Sequence, residues 1–304
     1  MEVVRGHRNA PAWAATAVAI GNFDGVHVGH RALIAKAREL GTPAVALTFD
    51  PHPSAVLSPH GAPPMLTSLA RRLELLQAAG ADAVVIEPFT RELACLAPQA
   101  FIDDIVLGAL HARAIVVGYD FTYGQGRAGT TEALREHGAN AGVAVAIVDP
   151  VEVAGEVASS TKIRGHLRAG ELTAAARLLG RRWDIDGTVV HGAERGRAIG
   201  VPTANITPDS DLPLLPGIYA VTLSVEGDVF PAVASLGTNP TFVEGGGLVL
   251  EVHVLDFFGD LYGQHVRTTF VERLRGEEKF DSVEALVAQI QLDIEAARLA
   301  LASR

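Results

Sequence analysis

The chain has 304 residues, about twice the size of a usual single domain, so it predicts two domains that each bury a core of their own. Apolar residues make up 48% and charged residues 20%, which is typical of folded globular proteins and excludes a disordered chain. The formal net charge of -10 disfavours nucleic acid and anionic membrane surfaces as partners and favours small molecules.

The first half alternates short Val/Ala/Ile-rich runs with longer stretches of helical period, which predicts an α/β domain with a doubly wound, Rossmann-like parallel sheet. The predicted strands are TAVAIG, PAVALTF, DAVVIE, RAIVVG and VAVAIV, and the predicted helices cover 30–40, 69–79, 98–110 and 130–139. Ligands of such sheets bind beyond the carboxyl ends of the strands.

The N-terminus carries an apolar stretch, AWAATAVAI, with an Ala-x-Ala pattern that is also found in export signals. Pro11 and the GNFDG segment that follows favour a first β-strand instead. Because no apolar run approaches the roughly 18 residues of a membrane helix, we expect a cytoplasmic protein.

The pattern changes near residue 182, after a short helical stretch, to β-type segments separated by Gly, Pro and Asn turns. The segments at 184–191, 217–225, 229–236, 248–256 and 265–272 predict a small antiparallel β-barrel, and 282–300 predicts a terminal helix. We therefore expect two domains, 1–181 and 182–304.

The first predicted strand leads directly into GNFDGVHVGH at residues 21–30. Glycines let a backbone approach a polyphosphate, and the first turn of the following helix offers free N–H groups. His27 and His30 can donate hydrogen bonds to phosphate oxygens, so this segment predicts a phosphate site.

An HxGH motif that opens the first helix of an α/β sheet resembles the nucleotidyltransferase superfamily. The segments TFDPHP, PPMLTS with Arg71, GYDFTYGQGRAG and SSTKIR follow in order, and together they look like the FMN adenylyltransferase module of bacterial bifunctional riboflavin kinase/FAD synthetases. Tyr123 stands where the family usually has Phe.

That resemblance implies ATP and FMN as ligands of the first domain. Arg164 suits a leaving pyrophosphate, and Asp120 and Phe121 suit the flavin, whereas Asp24 and Asp50 are left open between loop geometry and the adenosine end. The expected binding residues of this half are Gly21, Asn22, Phe23, Asp24, Gly25, Asp50, Gly118, Asp120, Phe121, Ser159, Ser160 and Thr161, and the catalytic ones are His27, His30 and Arg164.

The second domain opens with GTVVHGAERGRAIGVPTANI, whose HGxxRGRxxGxPTAN pattern is similar to the signature of riboflavin kinase. The resemblance implies ATP binding by Gly192, Gly196, Arg197 and Gly200. Thr203 and Asn205 supply oxygen ligands two residues apart, which suits Mg²⁺ completed by ATP phosphates.

Further matches run to the C-terminus, so the resemblance covers nearly the whole chain. Glu251 in EVHVLDF matches the family's proposed catalytic base for the riboflavin hydroxyl, and Arg275 and Glu277 in LRGEEKF match a flavin-side loop. The Gly245–Gly247 run lacks the basic residue that is often found shortly before this Glu.

The expected reactions are therefore phosphorylation of riboflavin to FMN and adenylylation of FMN to FAD, with ATP and Mg²⁺. Three alternatives stay open: retention of one activity only, another nucleotidyltransferase, and a non-catalytic flavin-binding protein. A homo-oligomer also stays open.

Overall fold

The computed structural model describes residues 1–59, 61–192, 196, 199–238 and 248–302. Contacts divide the chain into two compact units. The first unit holds Met1–Pro63 and Leu69–Ser159, and the second holds Pro64–Ser68 and Ser160–Arg304. The domain boundary between residues 181 and 182 stays a prediction.

The first unit is built on a parallel sheet with the strand order β1-β4-β3-β2-β5-β6. Its strands are β1 (Glu2–Arg5), β2 (Thr16–Ile20), β3 (Ala44–Asp50), β4 (Ala83–Pro88), β5 (Ala112–Gly118) and β6 (Ala144–Val148). The five predicted strands are confirmed, and the short edge strand β1 was not predicted.

Helices connect these strands, and they confirm the predicted ones. They are α1 (Val28–Leu40), α2 (Pro53–Leu57), α3 (Leu69–Ala78), α4 (Arg91–Ala94), α5 (Pro98–Ala100) with the π-helix Phe101–Ala109, and α6 (Thr131–Ala141). A small antiparallel hairpin, β7 (Glu152–Val153) with β8 (Glu156–Val157), precedes the end of the unit.

Both faces of this sheet are buried, because alternate residues of each strand enter two different apolar clusters. Val18 and Ile20 of β2 pack on the side of the π-helix, whereas Ala17 and Ala19 pack on the side of α1. Burial on both sides explains why the strands read as continuous apolar runs in the sequence.

The carboxyl ends of β3, β2 and β5 lie side by side at one edge of the sheet. The chain adds strands to one side of β2 through β3 and to the other side through β5, so the connection changes direction there. This is the switch point at which doubly wound sheets bind their ligands.

The second unit begins with two helices and continues as a closed antiparallel barrel in the order β10-β13-β12-β11-β14-β9. Its elements are α7 (Ser160–Ala169), α8 (Leu172–Leu179), β9 (Asp184–Val190), β10 (Ala204–Pro208), β11 (Gly217–Val225), β12 (Asp228–Thr238), β13 (Leu248–Val254), β14 (His265–Arg275) and α9 (Val283–Ala302). The predicted barrel and terminal helix are confirmed, and β10 was not predicted as a strand.

Large aromatic side chains fill this unit. The ring of Phe270 lies 5.2 Å from that of Trp183 and 5.4 Å from that of Tyr219, and all three side chains are buried. The Trp183 indole N–H donates to the Leu66 carbonyl at 2.9 Å, which ties the segment Pro64–Ser68 to its own unit. None of the helices in the described ranges is long and apolar enough to cross a membrane.

Candidate active sites

The loop after β2 has a tightly determined backbone. Phe23 and Val26 adopt positive φ angles of 51° and 40°, and Gly25 has φ of 79°. Such angles are costly for residues that carry a side chain, so surrounding structure must hold them. Phe23 is fully buried beneath the loop, next to Gly21, and this burial fixes the backbone of the predicted phosphate site.

His27 and His30 stack on each other at the start of α1. His27 is the N-cap residue, its Nδ1 accepts from the backbone N–H of His30 at 3.4 Å, and the two ring centroids are 3.7 Å apart. A Cβ on Gly29 would lie 3.0 Å from the His27 ring, which explains the glycine between the two histidines. The HxGH motif therefore presents two imidazoles at the amino end of a helix.

His30 is held as a neutral imidazole in this arrangement. Burial lowers the pKa of His30 well below its ordinary value of 6.5, and the nearby His27 and Arg72 lower it further. Its Nδ1 is buried without a hydrogen-bond partner among the described residues. A buried polar atom of this kind is normally hydrogen-bonded, so a ligand that reaches Nδ1 would supply its missing partner.

Side chains from the end of β3 and from α3 surround the same loop. The Asn22 carbonyl accepts from Thr48 Oγ1 at 3.1 Å and from Arg72 Nη1 at 3.3 Å. The carboxylates of Asp24, which is buried, and Asp50, which is partly buried, both act electrostatically on Arg72. The structure thus places Asn22, Asp24 and Asp50 around Arg72.

The end of β5 presents the predicted flavin residues at the same edge of the sheet. Phe121 is half-buried and stacks on Tyr123 at 5.4 Å, whereas Asp120 is exposed beside Gly118. The Tyr123 ring is buried, and burial raises the pKa of its hydroxyl. An exposed carboxylate next to a supported aromatic ring suits a planar polar ligand.

The SSTKIR segment spans the point at which the two units divide. Ser159 ends the first unit, and α7 begins at Ser160 with Thr161 in its first turn. Arg164 is buried within the second unit, and its Nε donates to the Pro64 carbonyl at 2.6 Å.

Three polar side chains form a row across the barrel strands of the second unit. Glu251 on β13 lies opposite Asn205 on β10 and opposite Ser235 on β12. Directly paired residues of antiparallel strands place their side chains on the same face. The barrel therefore brings the predicted base Glu251 beside the predicted metal ligand Asn205.

The glycines of the HGxxRGRxxGxPTAN segment leave room for these oxygen ligands. A Cβ on Gly192 would collide with the Asn205 amide, and a Cβ on Gly196 would lie 3.4 Å from Thr203 Oγ1. Gly200 has a positive φ of 78°, as its turn requires. Arg197 lies outside the described residues.

This donor set fits Mg²⁺, because two neutral hard oxygens in a glycine-lined cradle leave the remaining positions to phosphates and water. Among the described residues, no group of three or more His, Cys, Asp and Glu side chains forms a metal cluster.

The predicted flavin-side loop is tied to the terminal helix. Arg275 pairs with Asp293 of α9 through two hydrogen bonds, of 2.9 and 2.7 Å, and its guanidinium lies 5.7 Å from the Phe280 ring. Glu277 is exposed, and its carboxylate lies beside Gly237 of β12.

Arg72 and Asp293 were missed by the sequence reasoning. Both occupy buried faces of helices, where a charged residue among apolar ones is unusual without a partner. Arg72 follows Leu69 by three residues and precedes Leu76 by four, so its place on the apolar face was readable from the sequence. What it contacts was not.

Two family models match separate parts of the chain. The family model described as FAD synthetase matches residues 9–162, and the model described as riboflavin kinase matches residues 179–301.

Curated relatives match both regions at once. A bifunctional riboflavin kinase/FMN adenylyltransferase of Pseudomonas fluorescens is 39% identical over 98% of this chain and 97% of its own length. The protein of the same name from Listeria monocytogenes is 40% identical, over 91% and 89% respectively. A solved structure from Streptococcus pneumoniae, titled a macrolide-efflux protein, is 32% identical with a TM-score of 0.88 and covers 98% of this chain and 99% of its own.

Proposed function

The chain belongs to the family of bifunctional riboflavin kinases/FMN adenylyltransferases, and from this premise we propose which of its residues perform each reaction. It phosphorylates riboflavin to FMN and adenylylates FMN to FAD, with ATP as the second substrate of both steps. The observation that supports our assignment is that each unit contains its own polar cluster: the stacked histidines in the first, and the Asn205–Glu251–Ser235 row in the second.

Adenylylation belongs to the expected first domain, residues 1–181, and depends on positioning and charge. An oxygen of the FMN phosphate attacks the α-phosphorus of ATP, the bond to the β-phosphate breaks, and pyrophosphate leaves. The second pKa of a phosphate monoester is about 6, so the attacking oxygen is already unprotonated and needs no general base. His27 and His30 donate to the phosphate oxygens, as the unsatisfied Nδ1 of His30 supports, and Arg164 receives the pyrophosphate.

The other predicted residues of the expected first domain, 1–181, hold the two substrates. Phe121 packs on the flavin and Asp120 hydrogen-bonds to it, while the segment Ser159–Thr161 offers hydroxyls to phosphate.

Riboflavin phosphorylation belongs to the second unit and requires proton removal. Glu251 accepts the proton of the 5′-hydroxyl as that oxygen attacks the γ-phosphorus, and ADP leaves. Thr203 and Asn205 would hold Mg²⁺, which when bound would withdraw charge from the phosphate oxygens. Gly192, Gly196, Arg197 and Gly200 bind ATP, and Arg275 and Glu277 bind the flavin.

We place these reactions in the cytoplasm, with small molecules as the partners. The acidic net charge of -10 supports the exclusion of nucleic acid and anionic membrane surfaces.

The test is to assay both half-reactions on one purified protein, with riboflavin and ATP or with FMN and ATP, and to separate FMN from FAD by chromatography. His27→Ala should abolish FAD while FMN still forms, and Arg164→Ala should do the same. Glu251→Gln should slow FMN formation by about 10² to 10⁴ and leave FAD synthesis from supplied FMN within a few fold.

Each half-reaction is the folding control for the other. A parent protein that performs one reaction only would reduce the chain to a single activity, and one that performs neither would make it a flavin-binding protein. A Glu251→Gln protein with the parental kinase rate would remove Glu251 from the mechanism.

A further inference from the structure

A buried arginine lies beneath the predicted phosphate loop of the first unit. Arg72 is 3% exposed and projects from α3 towards the carboxyl ends of β2 and β3. Burying a guanidinium is costly unless opposite charges and hydrogen bonds compensate for the lost water. Arg72 therefore needs acceptor atoms and negative charges around it.

The guanidinium of Arg72 bridges two backbone segments of the site. Its Nη1 lies 3.3 Å from the Asn22 carbonyl in the phosphate loop and 3.4 Å from the Phe49 carbonyl in β3. Both distances exceed the usual 2.9 to 3.0 Å, so the group sits between the two carbonyls and is tightly bound to neither. One side chain thus links the loop after β2 to the end of β3.

Two carboxylates lie near the guanidinium of Arg72. Burial lowers the pKa of Arg72, while Asp24 and Asp50 counteract that effect, and an arginine stays charged under such conditions. Its Nε is buried without a hydrogen-bond partner in the described ranges. Since ATP and FMN would add phosphate charge near the two carboxylates, a permanent cation beneath the loop offsets the repulsion.

We propose that Arg72 is a positioning residue for adenylyl transfer, which holds the loop Gly21–Gly25 against the end of β3 and so sets the direction of the stacked histidines. The inference rests on the proposed function of the first unit and extends it to a residue that the HxGH motif does not include. Arg72 has no role in riboflavin phosphorylation.

The experiment uses the full-length protein with Arg72→Lys, Arg72→Gln and the control Arg113→Gln, since Arg113 is exposed on β5. Lysine keeps the charge but lacks the rigid guanidinium plane that fixes the direction of the Nη1 N–H groups, and glutamine loses the charge as well. Misplacement of reacting groups by about 1 Å costs about 10²-fold. The kcat for FAD synthesis should therefore fall about 10-fold to 10²-fold for Lys and further for Gln, with a smaller change in KM.

Two further measurements distinguish a positioning role from a purely structural role of Arg72. Riboflavin kinase activity of the same preparations should stay within about twofold of the parent, because that chemistry lies in the other unit. NMR titration should place the His30 pKa higher in Arg72→Gln than in Arg113→Gln, because a neighbouring positive charge has been removed.

Parental kcat for FAD synthesis in Arg72→Lys would overturn the proposal. A loss of FAD synthesis that is explained entirely by the unfolded fraction of a variant, with kcat per folded molecule unchanged, would also overturn it. If Arg72→Gln does not fold, the Lys variant decides by itself. A parent protein without FAD synthesis would instead contradict the proposed function.

Discussion

His30 combines burial with two neighbouring positive or potentially positive groups, and this combination decides its protonation. His27 stacks on it and Arg72 lies nearby, and both disfavour the imidazolium form. Asp24 and Asp50 in turn act electrostatically on Arg72. A neutral imidazole can donate one hydrogen bond and adds no charge to a site that already contains carboxylates.

The pKa of His30 predicts a pH dependence of stability. The pKa of His30 lies below 6.5 in the folded protein. As the pH falls through about 6.5, His30 therefore takes up a proton in the unfolded chain but stays neutral in the folded one. The free energy of unfolding should therefore fall with decreasing pH, by up to about 1.4 kcal/mol per pH unit in that window.

His30→Asn lacks this contribution, and the other titrating groups are common to both proteins. Urea unfolding at pH 7.5 and 5.5, followed by circular dichroism, should show that the parent loses more stability than the variant. An equal loss in both proteins would mean that His30 keeps an ordinary pKa.

The terminal helix α9 holds the end of β14 through one buried ion pair. Asp293 receives two hydrogen bonds from Arg275 and one from Gln289 at 3.0 Å, and its side chain is 6% exposed. The same helix makes a second two-bond pair, Arg298 with Asp256, on the surface, where the side chains are 48% and 68% exposed.

Asp293→Asn should therefore cost far more than Asp256→Asn, although each removes one carboxylate from an arginine pair. Breaking a buried pair costs about 3 to 5 kcal/mol, and we expect the lower end because Arg275 is partly exposed. The surface pair of Asp256 contributes little, because solvent screens its charges.

Denaturant unfolding of both variants measures this difference. The KM for riboflavin should rise only in Asp293→Asn, because Arg275, which we propose binds the flavin, loses the carboxylate that positions it. Equal stability losses would show that the burial of Asp293 has no energetic effect. The rate of FAD synthesis from FMN is the control for the first unit.

At the scale of the whole molecule, the two helices α7 and α8 group with the barrel unit and not with the sheet. The apolar face of α8 buries Leu172, Ala175, Leu178 and Leu179, and α8 packs on β14. A C-terminal fragment that begins at the predicted boundary would lack this cover.

Two fragments test the boundary, 160–304 and 182–304. Both lack Pro64–Ser68, so their comparison isolates the contribution of α7 and α8. Since burying one leucine side chain stabilises by about 1.5 to 3 kcal/mol, the shorter fragment should unfold at a lower temperature. The longer fragment should make FMN but no FAD. A folded 160–304 fragment without kinase turnover would show that the first unit is needed to complete the kinase site.

The sequence alone determined the order of the strands and helices, the two fold classes and the HxGH and PTAN segments. These features are local, because burial on both faces of a sheet, helical period and glycine placement leave their pattern within a few residues. The short strands β1 and β10 were not predicted. Their extended conformation depends on pairing with distant strands, β1 with β4 and β10 with β9 and β13.

Which side chains meet depends on the tertiary structure. Glu251 lies opposite Asn205 because of the register of β10 and β13, and Arg72 reaches Asn22 across 50 residues of chain. Asp293 pairs with Arg275 because the terminal helix α9 packs back against the barrel. Strand register and helix packing arise from contacts between segments that are distant in the sequence. A local sequence pattern therefore cannot show which residues form these pairs.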